Sequence, residues 1–192
     1  MRRYFRLLDD VTVPNRWHLG SATLADGTEP RLRAGIRFEA SETPSIPVTH
    51  GDCVLDFTIT SFAVPVANRR LVDAVTAVAG ADVQRIPVNI AGQPGMVVLN
   101  ALRTLRCVDE LNSEFVKWTK QDHRADLAGQ YRQITKLVLD EAKIPCDAHI
   151  FRIEGSLVEL IVSEAVKDAM ERVGCLGAKF IELQTSGARS HA

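Results

Sequence analysis

Residues 66–88 and 162–183 read alike, and no other feature limits the fold of this chain as tightly. In each, a strand end meets a small polar residue, then an amphipathic helix, a glycine stop and a second strand. Asn68 caps the first helix, where Leu71, Val72, Ala74, Val75 and Val78 share one face, and Gly80 closes it. Ser163 caps the second, with Ala165, Val166, Ala169, Met170 and Val173 on one face and Gly174 and Gly177 behind it. A helix with a single apolar stripe needs a sheet to lie on, and strand patterns flank both helices. The reading is an α+β chain: a mixed or antiparallel sheet carrying two strand-helix-strand units. An internal repeat stays open, because any two such units in an α+β protein resemble each other.

The other segments fill in the sheet. Residues 4–8 are β-friendly and predict an opening strand. Leu55, Phe57 and Ile59 alternate with Asp56, Thr58 and Thr60, which predicts a one-sided strand continuing in extended form through 62–66. Residues 86–90 and 96–99 read as two strands joined across 92–95, and 149–153 with 157–162 as a hairpin. A last strand covers 179–183, and the Pro- and Thr-rich stretch 41–52 is an exposed loop. Between the units the pattern is ambiguous. Leu111, Phe115 and Trp118 are spaced for one helical face, residues 134–139 for a strand buried on both sides, and 119–130 for an exposed loop. One domain over 1–184 is expected, with halves 1–100 and 101–184, followed by a flexible tail at 185–192.

Charge narrows the function. The chain has 192 residues with 23 Lys and Arg against 24 Asp and Glu, a net charge of −1, spread without a basic third, which argues against nucleic-acid binding. Apolar runs such as 61–67 are too short to span a bilayer, and the start runs into Asp9-Asp10 rather than a signal-peptide apolar region. A cytoplasmic protein without a membrane partner is expected. The four cysteines, Cys53, Cys107, Cys146 and Cys175, form no CxxC pair and read as reduced thiols.

Catalytic motifs are missing: there is no GxSxG, P-loop, GxGxxG or HExxH. His50-Gly-Asp-Cys53 and Cys146-Asp-Ala-His149 are mirrored pairs that would offer four zinc ligands if they met in space. Against them stands chance spacing among four cysteines and five histidines, and no cofactor is expected. Arg16-Trp17-His18 is a candidate ligand contact, against the plainer reading of Trp17 as a core lid. The functional choice is between a binding module without catalysis and a small-molecule or thiol-dependent enzymatic domain built on a Cys-His pair.

Several motifs tip that choice. His149-Ile-Phe-Arg152, Ile161-Val-Ser163-Glu164, Val166-Lys-Asp-Ala169 and Gly174-Cys-Leu-Gly-Ala-Lys-Phe180 resemble, in order, the pattern of the immunity protein 11 family of bacterial polymorphic toxin systems. Asp56-Phe57, Ile86-Pro87-Val88, Val98-Leu-Asn100, Cys107-Val-Asp109 and Ser113 extend the likeness upstream. The chain departs from the family at Cys175-Leu176, where the family tends to have Leu-Thr, and before the first helix, where Asn68 replaces a serine cap. The resemblance implies a non-enzymatic protein that neutralises a cognate toxin, often nuclease-like and encoded nearby, by stoichiometric binding. A blocker of a basic nuclease cleft needs carboxylates beside an aromatic anchor. The richest segment holds Asp109, Glu110, Glu114, Asp122 and Asp126 around Phe115 and Trp118. Oligomeric state is left open.

Overall fold

The computed structural model describes residues 2–33, 35–39 and 42–187. In chain order the elements are β1 (Tyr4–Asp9), β2 (His18–Leu19), β3 (Val48–His50), β4 (Phe57–Ile59), β5 (Pro65–Asn68), α1 (Arg69–Ala79), β6 (Val83–Pro87) and β7 (Met96–Ala101). There follow β8 (Thr104–Leu105), β9 (Glu114–Lys117), β10 (Tyr131–Lys136), β11 (Val138–Asp140), β12 (Ile150–Ile153), β13 (Ser156–Ser163), α2 (Glu164–Arg172) and β14 (Ala178–Ser186). The α+β class is as expected.

Two sheets carry the fold. The smaller runs β4-β5-β7-β6 and is antiparallel throughout. The larger, β11-β14-β1-β13-β12-β8, is mixed: its two outermost pairs are parallel and the inner ones antiparallel. Both strand-helix-strand units have the same plan. β5 and β6 run parallel with β7 between them, and β13 and β14 run parallel with β1 between them. The source of the middle strand differs, since β7 follows β6 directly whereas β1 comes from the start of the chain.

Both helices begin as the sequence dictates. The Asn68 side chain accepts from Leu71 N at 2.9 Å and Ser163 Oγ from Val166 N at 3.4 Å, each satisfying an otherwise orphaned first-turn donor. Their apolar faces meet in one core. Leu71, Val72 and Val75 of α1 and Val166 and Met170 of α2 pack with Phe5, Leu7, Val97, Leu99, Leu160 and Val162 from both sheets. The opposite faces are covered too: Trp17, Leu32 and Ile46 lie over Val66 and Val98 of the small sheet, and Leu137, Leu139 and Ile144 over Phe151 and Ile161 of the large one. Gly177 follows α2 at φ 100°, where any Cβ would strike Phe57 O and the Leu55 side chain. This glycine lets α2 end close against β4.

Several local expectations are corrected. Leu55 and Phe57 do not share a face: they enter different cores, and Thr58 and Thr60 are buried as well. Residues 60–64 are a turn rather than continued strand, with Thr60 N bonded to Val64 O and Ala63 at φ 59°. Leu111, Phe115 and Trp118 lie on no helix; Leu111 is 96% exposed in a turn and Phe115 is in β9, which pairs with β10. The 134–139 segment is buried only from Leu137 onward, because β10 belongs to that outlying hairpin. The last strand reaches Ser186, so 185–186 of the expected tail are in the sheet, and 188–192 lie outside the described residues.

Candidate functional site

Strands β9 and β10 form a two-stranded arm closed at its tip by 118–130, with Trp118 N bonded to Gln130 O and Gly129 N to Trp118 O. It holds Glu114, Trp118, Asp122 and Asp126 of the residues singled out for partner binding, with Asp109 and Glu110 just before it. Trp118 is half-buried at the tip, under the Arg132 guanidinium at 5.0 Å and edge-on to His123 at 5.3 Å. Phe115 and Tyr131 meet edge-to-face at 5.2 Å on the inner side, where Tyr131 and Ile134 pack against the large sheet's outer core.

The carboxylates around this arm do not form a free acidic patch. Glu110 accepts from Lys117 Nζ and from Tyr131 Oη, both at 2.6 Å. Those two donors, the lysine first, hold its carboxyl below the usual range, while burial and then the Glu110 contact raise the Tyr131 phenol. Asp122 accepts from Thr119 N and Oγ1 at 2.7 and 2.8 Å and faces Arg132 at 3.5 Å, so it fixes the turn after Trp118. Asp126 pairs with Arg124 through two hydrogen bonds, and Asp109 is held by Ser186 and Asn112. Of the carboxylates at 109–126, only Glu114 has no cationic or hydrogen-bonding partner among the described residues. Residues 109–136 contain five acidic groups against Lys117, Lys120, Arg124, Arg132 and Lys136, so the stretch that includes the arm carries no net charge. Several of these pairs are local, Arg124 with Asp126 and Thr119 with Asp122, whereas the Tyr131 contact to Glu110 and the Arg132 contact to Asp122 depend on the chain returning along β10.

The mirrored Cys/His pairs do not gather. His50 lies in β3 opposite His18, with ring centroids 5.7 Å apart. His149 precedes β12 and contacts Ser163 Oγ at 3.0 Å through Nδ1; Cys53 is half-buried and Cys146 exposed. Among the described residues no three His, Cys, Asp or Glu side chains are placed to hold a metal ion. Trp17 is 1% exposed and packed in the core over the small sheet, in keeping with its plainer reading. Cys107 and Cys175 are pushed up to about 12, each chiefly by burial, which keeps both as thiols at neutral pH.

One basic residue stands out that the sequence reading passed over. Arg152 of β12 is fully buried, donating from Nη1 to Leu157 O and from Nη2 to Ala63 O, with Nε unpartnered. An arginine inside an apolar strand, Ile150-Phe-Arg-Ile153, is the signal that could have flagged it.

The sequence profile of the Immunity protein family (Imm11) matches residues 34–185. The chain belongs to this family. The Imm11 segment contains both helices, the arm and Arg152, but begins after β1, which is nonetheless an interior strand of the large sheet. None of the curated proteins matches the chain. Among its described residues, this Imm11 protein has no helix long and apolar enough to cross a membrane.

Proposed function

We propose that this protein neutralises a cognate toxin, encoded nearby, by tight stoichiometric binding in the cytoplasm of the cell that makes both. The observation that carries the reading is membership of the immunity family over residues 34–185. Cys107, buried, and Cys175, half-buried, are both held as thiols, which favours a binding protein over an enzyme using either as nucleophile.

We place part of the contact on the β9–β10 arm. An arm that stands out from the large sheet and bears a half-buried tryptophan beside arginine suits an interface, where aromatic residues and Arg are enriched. Paired charges there act through geometry and partner exchange rather than as an acidic field. Protection at cellular toxin levels calls for an affinity of about 1 nM and a buried area of roughly 1,600 Å².

Co-expression tests this directly, with nuclease-type activity as the first toxin assay. Wild type should rescue growth and co-purify one-to-one with the neighbouring toxin domain. A folded Trp118→Ala protein should bind at least tenfold more weakly, and Asp122→Lys with Asp126→Lys should associate more slowly. Full protection by both variants would move the contact off the arm; no binding by wild type would overturn the immunity reading.

A further inference from the structure

A cluster of three arginines, Arg31, Arg33 and Arg152, lies beside the arm. Arg152 has no carboxylate partner among the described residues, and its two hydrogen-bonded groups hold the main chain of the β4–β5 turn and of β13. Arg33 holds the same turn, donating from Nη1 to Phe62 O at 3.0 Å. Burial, and then the nearness of Arg33, push the Arg152 guanidinium down to about 10, so it is still charged at neutral pH. Arg31 and Arg33 line a cleft of about 290 Å³ with Thr60, Phe62 and Leu157, and neither is ion-paired among the described residues. The one acidic residue in the lining is Glu29. A fixed cation behind low-dielectric walls, with two exposed arginines at the opening, focuses a positive potential into that cleft.

The surroundings are apolar and accessible. Phe62 is 49% exposed at the cleft, and Leu157, Leu32 and Val64 line it as well. Leu157 also lines the depression at the root of the arm, where Tyr131 N bonds Gly155 O. Cleft and arm therefore meet at the β12–β13 turn as one surface.

We infer that this cleft receives a carboxylate side chain of the bound protein partner, gripped by Arg31 and Arg33, with Phe62 and Leu157 against the neighbouring apolar group. The inference rests on the toxin-binding reading and gives its chemistry at one point: the toxin presents an acidic residue here. A protein carboxylate fits better than a nucleic-acid phosphate. The basic group is small, bordered by Glu29 and Phe62, and belongs to a chain of net charge −1, whereas a nucleic acid calls for an extended basic surface.

Two measurements on the full chain test the cleft and the function separately. In the first, the ¹⁵N-labelled protein is titrated with N-acetylglutamate α-methylamide, whose one carboxylate is the side chain, with N-acetylglutamine α-methylamide as the uncharged twin and inorganic phosphate as the competing anion. Saturable shifts confined to 29–33, 60–64 and 157 are expected with the glutamate alone, and should vanish in Arg31→Gln with Arg33→Gln. No saturable shift, equal shifts with the glutamine, or tighter binding of phosphate would overturn a carboxylate site. In the second, Arg31→Glu with Arg33→Glu, checked for unchanged melting, should bind the toxin domain about tenfold more weakly, mostly through slower and more salt-sensitive association. Unchanged binding by that variant overturns the cleft and leaves the immunity reading standing. If wild type fails to bind the toxin while the glutamate shifts appear, the immunity reading falls and the carboxylate site remains.

Discussion

The two strand-helix-strand units differ in how they are closed. In the first, β7 returns between β5 and β6 after a short turn, so the unit is built from one continuous stretch. In the second, the place between β13 and β14 is taken by β1, which pairs along its whole length with β14 and with β13 at residues 4–6. The first unit can form from local contacts. The second requires the two ends of the chain to meet, at a greater loop-closure cost. A strand outside the family-matched segment thus completes the larger sheet.

The harshest way to break this pairing of units is to charge a helix. Val75 and Met170 are both fully buried in the shared core, and aspartate at either place would bury an unpaired carboxylate at a cost of several kcal/mol. With a total stability of roughly 5–15 kcal/mol, Val75→Asp and Met170→Asp should each abolish cooperative melting. Equal collapse of both units is expected, since they share one core; native melting of both variants would separate the helices from it.

A milder change separates the units. Leu7 of β1 and Leu99 of β7 are buried in the same core, and alanine at either should cost about 2–5 kcal/mol. Hydrogen exchange distinguishes them. Leu7→Ala should release the amides of β13 and β14 first, and Leu99→Ala those of β5 and β6; the same order of opening in both would remove the distinction between local and end-to-end closure.

The smallest effect lies at the caps. Asn68 bonds Leu71 N at 2.9 Å and also donates to Asp56, whereas Ser163 reaches Val166 N at 3.4 Å and shares its hydroxyl with His149. Both alanine substitutions should lower stability by about 1 kcal/mol in denaturant titration, with Asn68→Ala the larger. A larger loss from Ser163→Ala would mean that its contact with His149 outweighs the cap.

These comparisons depend on elements of unequal visibility. Both helices, their caps and the β12–β13 hairpin were legible because each is specified within about ten residues: a capping side chain, an apolar stripe and a glycine. The arm was not. Leu111, Phe115 and Trp118 fit a helical period over one short window, and nothing local opposed it, yet pairing of β9 with β10 across the 118–130 loop made strands. The candidate site was half legible. The sequence pointed to a segment with an aromatic and several carboxylates, but not that Lys117, Arg124 and Arg132 would neutralise three of them, nor that Arg152 would be buried without an acid.

Local chemistry settled where helices begin and end, which faces are apolar and, through the order of short motifs, which family the chain belongs to. Tertiary structure decided that β1 lies between β13 and β14, that Trp17 is core while Trp118 stands at the tip of an arm, and that Arg152 is buried. The division is physical. A cap or a stripe acts between residues within a turn or two of each other, but strand neighbours such as β1 and β13 are chosen among segments far apart in the chain. That choice is made by burial of shared apolar faces, which no single segment encodes.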